Sequence, residues 1–316
     1  MVNLLKTPVR VVGTLFAAVL FATAQGAVAR PGTVNYAEGQ VLLDGQAMSA
    51  RDVGSVEAGA GRVLQTDNGK AEMLLFPGAF LRLGENSAVR MVSPSLNDTR
   101  VELVHGKAMV EVDQIQSENR LVVIDNGLSA RLTKKGIYGF DANQPMVSVY
   151  DGKAEVQRDD QSVDVGKGKQ LAMQPDTRLK PQKFDRNQTD SLYEWSKLRS
   201  GYLAEANMAS AQMVVVNNGP GWYTPGWYWN SWYDTWGFFP SAGLLYSPFG
   251  YGFYSPAFYY YNPPLYYYRG PGRIITGRQG RIVTPGIRTA PAPAVRAPAP
   301  AMRAPVSGGM RGGRGR

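Results

Sequence analysis

Side chains able to do chemistry are scarce in this sequence. His105 is the sole histidine, and there is no cysteine. That excludes disulfides, thiolate nucleophiles, a lipid-bearing cysteine and thiolate metal sites. His105 stands in a Gly-containing turn, at the place Asp151 takes in a repeated unit described below, and reads as a turn residue. No HExxH, phosphate-binding P-loop, GxSxG or helix-opening GxGxxG occurs. Glu111, Asp113, Asp159 and Asp160 lie among polar strand and turn positions, without the signal of a glycosidase-type or aspartic pair. Gly166-Lys-Gly168-Lys169 reads as a hairpin turn rather than a phosphate cradle. The sequence therefore predicts no enzyme, no cofactor and no metal.

What remains is the chemistry of stacking and of positive charge. Asp234 is the last carboxylate of the 316-residue chain, and all ten cationic residues after it are Arg. Lys plus Arg is 34 and Asp plus Glu is 25; without those ten arginines the rest stands at 24 against 25. The basic character thus belongs to the C-terminus. Just ahead of it runs Gly221-Trp-Tyr-Thr-Pro-Gly-Trp-Tyr-Trp-Asn-Ser-Trp-Tyr-Asp-Thr-Trp236. Trp and Tyr faces stack on sugar rings, and guanidinium groups sit on them by cation–π attraction. Candidate binding residues are Trp222, Trp227, Trp229, Trp232 and Trp236, with Arg311, Arg314 and Arg316. The partners this chemistry suits are an anionic envelope polymer, a membrane surface or another envelope protein. Attraction to a polyanion should weaken with salt. A different reading has the aromatic tract wrap the preceding domain and bury its own rings.

The elements that must position these groups are mostly strands. Residues 33–175 hold short apolar runs punctuated by Gly turns, such as Ala71–Phe76 before Pro77-Gly78 and Val101–Val104 before His105-Gly106. Asp44-Gly45 and Asp151-Gly152 suit tight hairpins. Val101-Glu-Leu-Val-His-Gly-Lys-Ala-Met-Val matches Val147-Ser-Val-Tyr-Asp-Gly-Lys-Ala-Glu-Val, and Asn68-Gly-Lys-Ala-Glu72 echoes both. Repeated strand–turn–strand units predict an all-β fold, as a β-sandwich or short β-solenoid, with Lys and Glu left outside.

Around this domain the chain divides further. Lys6 and Arg10 precede the uncharged run Val11–Ala24, with small-residue pairs at Ala22/Ala24 and Ala27/Ala29. Residues 1–29 read as a signal peptide cut after Ala24 or Ala29, since a spanning helix needs about 20 residues. The mature chain is then exported to the periplasm or outer envelope, without a transmembrane segment and away from intracellular nucleic acid. Residues 176–218 read as a linker and an amphipathic helix. Thr189 would cap it, and Leu192, Trp195, Leu198, Tyr202, Ala206, Ala209 and Met213 would form its apolar stripe, with Arg199 stacking on Trp195. Residues 219–268 are Trp-, Tyr-, Gly- and Pro-rich, a spacing that predicts short hairpins and no helix. Residues 269–316 predict a disordered Arg/Pro/Ala/Gly-rich tail.

The ordered series Val53-Gly54, Leu64-Gln-Thr66, Asn68–Gly78, Leu81-Arg-Leu83, Val101–Ala108, Gly136-Ile-Tyr138 and Val147–Ala154 resembles the FecR domain over residues 35–175. The resemblance implies an all-β periplasmic domain, and in the name-giving members a relay of iron-siderophore signals to a sigma factor. A cleaved leader leaves no cytoplasmic segment for that relay. The sequence thus resembles stand-alone FecR-domain proteins with a W/Y-rich C-terminus. The expectation is a non-enzymatic exported bacterial envelope protein with a scaffold or binding role. The alternative is a FecR-type transmembrane signalling protein in iron-responsive regulation.

Overall fold

The structure, a computed structural model, describes residues 29–263 except 175–177, 220, 222 and 242. The leader run, Trp222, the tail and its Arg311, Arg314 and Arg316 lie outside the described residues. The chain forms β1 (Val34–Leu43), β2 (Gln46–Ala47), β3 (Val63–Phe76), β4 (Ala79–Leu83), β5 (Ser87–Pro94), β6 (Asp98–His105), β7 (Lys107–Val112), β8 (Arg120–Asp125), β9 (Leu128–Leu132), β10 (Gly136–Asp141), β11 (Met146–Asp151), β12 (Lys153–Arg158), β13 (Gln161–Gly166), β14 (Lys169–Ala172) and β15 (Gln182–Lys183). Then follow α1 (Ser191–Asn218), β16 (Gly226–Asn230), β17 (Thr235–Phe239), β18 (Leu244–Tyr246), β19 (Gly252–Tyr254) and α2 (Pro256–Tyr261).

The all-β reading is correct, and β3 explains how the sheet is built. Its first residues, Val63–Thr66, pair with β5, and Ala71–Phe76 pair with β4. The strand changes partners at Asn68-Gly69, so one curled sheet runs β13-β12-β9-β8-β6-β5-β3-β4-β7-β10-β11-β14-β15, with β1 along the other edge of β3. The two arms share one core. Val101, Leu121, Val123 and Val156 come from the first arm, and Val110, Val112, Tyr138 and Val149 from the second.

The repeated x-Gly-Lys units mark the crossings between arms. Asp44-Gly45 does make a tight hairpin, with φ of 51° and 77°. Asp151-Gly152 does not, contrary to its sequence signal: β11 lies between β10 and β14, and β12 between β9 and β13. β6 and β7 are likewise unpaired with each other. Gly152 has φ 94°, and a Cβ there would lie 2.3 Å from the Tyr138 hydroxyl. Gly106 has φ 78°, with Ser87 Oγ at the same 2.3 Å. Only glycine fits such corners, where a strand passes from one layer to the other.

The two arms differ in what covers their outer faces. The first arm alternates buried and half-exposed residues, with cross-strand pairs such as Arg90–Glu102 and Arg131–Glu155 toward water. On the second arm all of β4 and five of six β7 residues are buried. Its outer face packs under α1 and the aromatic hairpins: Leu74 and Phe80 meet Leu203 and Ala204 of α1, Phe238 of β17 and Phe253 of β19. The aromatic tract, up to Tyr261, is thus a third layer of the fold. Its prolines do not forbid a helix, as α2 shows: Ser255 caps it through Phe258 N at 3.2 Å, and Pro256 opens it, where a missing N–H costs nothing.

α1 differs from its sequence reading at both its cap and its face. Asp190, not Thr189, accepts from Tyr193 N at 3.0 Å, while the Thr189 hydroxyl donates to Glu194 at 2.7 Å. Leu198 and Tyr202 are 53% and 48% exposed, and Met213 is also exposed. The buried face carries Ser196, Arg199, Ser200, Asn207 and Ser210 beside Leu203 and Ala211. A polar face turns inward because the sheet beneath it is charged.

One carboxyl at the rim of the central core carries a pH dependence. Asp125 is buried, and neither of its carboxyl oxygens has a hydrogen-bond partner. Burial, then the charge of Asp141, pushes it up to about 7. A raised carboxyl favours the fold while protonated, so its contribution is full below the unfolded value of about 3.9 and is lost as pH rises through 7. Urea melts of the wild type should weaken by about 1–2 kcal/mol more than those of Asp125→Asn between pH 5 and pH 8, a figure reduced for solvent screening. Parallel pH profiles would show that Asp125 does not titrate in the fold.

Candidate functional site

A charged cluster lies between the second arm and α1. Strand register places Glu72 directly opposite Arg82 on the outer face, with Glu111 on the adjoining β7. Arg82 Nε donates to Glu72 Oε2 and Arg82 Nη1 to Glu111 Oε2, both at 2.7 Å, and all three side chains are fully buried. The helix adds Arg199 Nη2 to Glu72 Oε1 at 2.9 Å and Ser200 Oγ to Glu111 Oε1 at 2.7 Å. Asn35 Nδ2 donates to Glu72 Oε1 at 2.9 Å. Arg199 does not stack on Trp195; its guanidinium lies over Tyr36, 4.1 Å from the ring centroid.

The charges close into a balanced set. Burial alone would raise the Glu72 carboxyl, but Arg199 and Arg82 overcome it and hold the group down to about 2. Asp113 shifts the other way: burial, then the charge of Glu111, raises it well above its ordinary value, and neither of its carboxyl oxygens has a hydrogen-bond partner. The Arg82 and Arg199 guanidiniums thus face the Glu72 and Glu111 side chains. Glu111 and Asp113 do come together, yet both are fully buried under this layer. Asp159 and Asp160 stand in the turn between β12 and β13. Among the described residues no group of three His, Asp or Glu side chains is arranged to hold a metal.

The network extends into the aromatic layer through asparagines. Asn35 Nδ2 also donates to Trp236 O at 3.0 Å, and Asn35 Oδ1 accepts from Trp236 N at 2.7 Å. Asn207 of α1 donates to Phe238 O at 3.0 Å and accepts from Tyr254 N at 2.6 Å. One amide side chain can satisfy a strand's N–H and C=O together, which docks each hairpin without a sheet partner.

The aromatic candidates separate by depth. Trp236 is 6% exposed and donates its Nε1 to Gly54 O at 2.7 Å. Trp227 is half-buried and stands edge-on to Phe80, 5.9 Å between centroids. Trp229 leans edge-on against Trp236 at 5.4 Å and over Gly54, where a Cβ would lie 2.4 Å from its ring. Trp232 is 80% exposed at the tip of the β16–β17 hairpin, with Tyr233 exposed beside it. That tip is fixed from below. Buried Asn230 accepts from Trp232 N at 2.9 Å and Tyr233 N at 3.1 Å, and donates to Ala206 O and Ser210 Oγ of α1. A backbone held this way gives up little freedom when the exposed ring meets a partner.

His105 is exposed at the end of β6, at the corner of its repeat. The Gly166-Lys-Gly168 turn is not the hairpin its sequence suggests: it carries β13, paired with β12, across to β14, paired with β11 and β15, and Lys167 pairs with Asp151 at 3.0 Å. Thr133, Lys134, Lys135, Leu245 and Pro248 line an open cleft of about 610 Å³. Among the described residues no helix is long and apolar enough to cross a membrane.

No family model matches the chain, and no curated protein matches it. Among solved structures it is similar to two crystal structures of a candidate anti-sigma factor from Parabacteroides distasonis ATCC 8503, at 1.65 Å and 2.50 Å resolution. Identities are 14% and 15%, with a TM-score of 0.35 for each. Each match covers 44% of this chain, which spans 65% and 64% of those chains. A match of that depth assigns neither an activity nor a partner.

Proposed function

We propose that this is a non-enzymatic, exported protein of a bacterial envelope. A FecR-like β scaffold presents an aromatic hairpin tip, and the arginine-rich residues after 268 attach it to an anionic envelope polymer. The observation that supports this reading is Trp232: a large ring left in water while its own backbone is pinned through Asn230 to α1. Burying that ring would serve stability; leaving it outside on a fixed support suits recognition.

Co-sedimentation of the mature chain with lipopolysaccharide aggregates tests it, because that polymer offers both sugar rings and phosphates. Trp232→Ala should leave the melting temperature unchanged, as surface changes usually do. It should weaken binding about fivefold to tenfold, the cost of losing one aromatic anchor. Ending the chain at Pro263 should remove the salt-sensitive part of binding instead. Equal binding by Trp232→Ala and wild type at every salt concentration would count against the aromatic tip.

A further inference from the structure

We infer that the cleft where β7, the β9–β10 loop and the β18–β19 hairpin meet binds an acidic sugar, with Lys134 and Lys135 on its anionic group and Asp113 on a ring hydroxyl. The cleft holds about 610 Å³. Its Asp113 and Ile115 follow β7, its two lysines join β9 to β10, and Leu245 and Pro248 come from the hairpin.

Asp113 differs from the other buried carboxyls of its strand face. Glu111 is satisfied by Arg82 and Ser200. Asp113 is fully buried as well, yet neither of its carboxyl oxygens has a hydrogen-bond partner. Such a group has lost its hydration without a substitute, and a ligand hydroxyl supplies the missing bond. The cations of the cleft lack carboxylate partners in turn. Lys153 and Lys167 pair with Asp164 at 2.8 Å and Asp151 at 3.0 Å. Among the described residues Lys134 and Lys135 join no ion pair, and Lys135 Nζ donates to the carbonyl of Tyr246. Asp151 also lines the cleft, but Lys167 and Gly152 N take its two oxygens.

An anionic group draws Lys135 more strongly than the neutral Tyr246 carbonyl does, because a hydrogen bond between two charged groups is the stronger. Releasing Tyr246 loosens the hairpin beside Asp113, which is the way in to a carboxyl now shielded from water. Ile115, Leu245 and Pro248 give an apolar wall for the face of the sugar ring. A simple anion uses only the lysines and a neutral sugar only Asp113; a sugar acid uses both. A free sugar acid and the acidic end of an envelope polysaccharide share this chemistry.

The isotope-labelled mature chain is titrated with galacturonate, its trisaccharide and galactose, while NMR follows the amides of residues 113–115 and 133–135. Galacturonate should shift them and galactose should not. Tighter binding of the trisaccharide, by about tenfold or more, identifies a polymer end as the source; equal affinity identifies the free sugar. Replacing both Lys134 and Lys135 with Ala should weaken binding by about tenfold or more. Asp113→Leu keeps the volume and removes the orphaned carboxyl, so it should melt no lower than wild type and bind about tenfold more weakly. If that variant melts lower, the lysine pair alone decides. No shift with galacturonate, equal shifts with galactose, or unchanged binding in the lysine variant overturns the inference. Trp232 lies outside this cleft, so galacturonate binding and the effect of Trp232→Ala on co-sedimentation fail independently.

Discussion

Replacing Arg82 with Met should destabilise the protein by about 3–5 kcal/mol, the cost of leaving a buried charge without its partner. That corresponds to about 10 °C in melting temperature. Arg82 joins Glu72 on β3 to Glu111 on β7, and none of the three reaches water. Without it Glu72 still has Arg199 and Asn35, but Glu111 keeps only the Ser200 hydroxyl. The defect should therefore depend on pH in a defined direction. In the wild type the depressed Glu72 carboxyl contributes stability above its unfolded value, and that contribution is lost as pH falls toward 2. Burial disfavours the charged form of an unpaired carboxyl, so acid should relieve the defect. Urea melts should show the largest gap between wild type and Arg82→Met near pH 7 and a smaller one near pH 4.5. A gap independent of pH would mean that lost packing, not unpaired charge, sets the cost.

Truncation separates the aromatic layer from the tail. A chain ending at Pro263 keeps every described element and should melt like the full chain. A chain ending at Asn218 loses both hairpins and α2. It uncovers Leu74, Phe80 and Leu203, and burying each such side chain is worth about 1.5–3 kcal/mol. The sum is an upper estimate, yet it is comparable to the roughly 5–15 kcal/mol that holds a whole domain together. It also opens a path for water toward Glu72, because Asn35 loses its Trp236 partners. The shorter chain should unfold without a sharp transition and bind ANS. A cooperative melt close to that of the full chain would show that the β domain stands without its third layer.

Much of the scaffold is legible in the residues. The match between Val101–Val110 and Val147–Val156 marks equivalent places, since both Gly106 and Gly152 are corners between arms. Whether such a glycine makes a hairpin or a crossing is not legible, because positive φ serves both and strand pairing decides. Glu72 and Glu111 read as solvent-facing from their alternation with Met73 and Val112. They are buried because a later segment covers that face. For the same reason the apolar stripe expected on α1 points partly outward, while Arg199, Ser200 and Asn207 point in. The aromatic run stands out in the sequence as a group, but Asn35, Asn207 and Asn230 do not. A lone Asn carries no sequence signal until the backbone groups it satisfies are known.

Native-state hydrogen exchange tests most directly whether the aromatic layer belongs to the same cooperative structure as the sheet. The amides to follow are Trp236 and Tyr254, which donate to Asn35 and Asn207, and those of the β16–β17 ladder. They should exchange with the same opening free energy as the amides of β4 and β7, while Trp232 and Tyr233, whose amides bond only to Asn230 at the tip, exchange sooner. Exchange of Trp236 and Tyr254 at rates near those of an unstructured chain, with β4 and β7 still protected, would contradict the account.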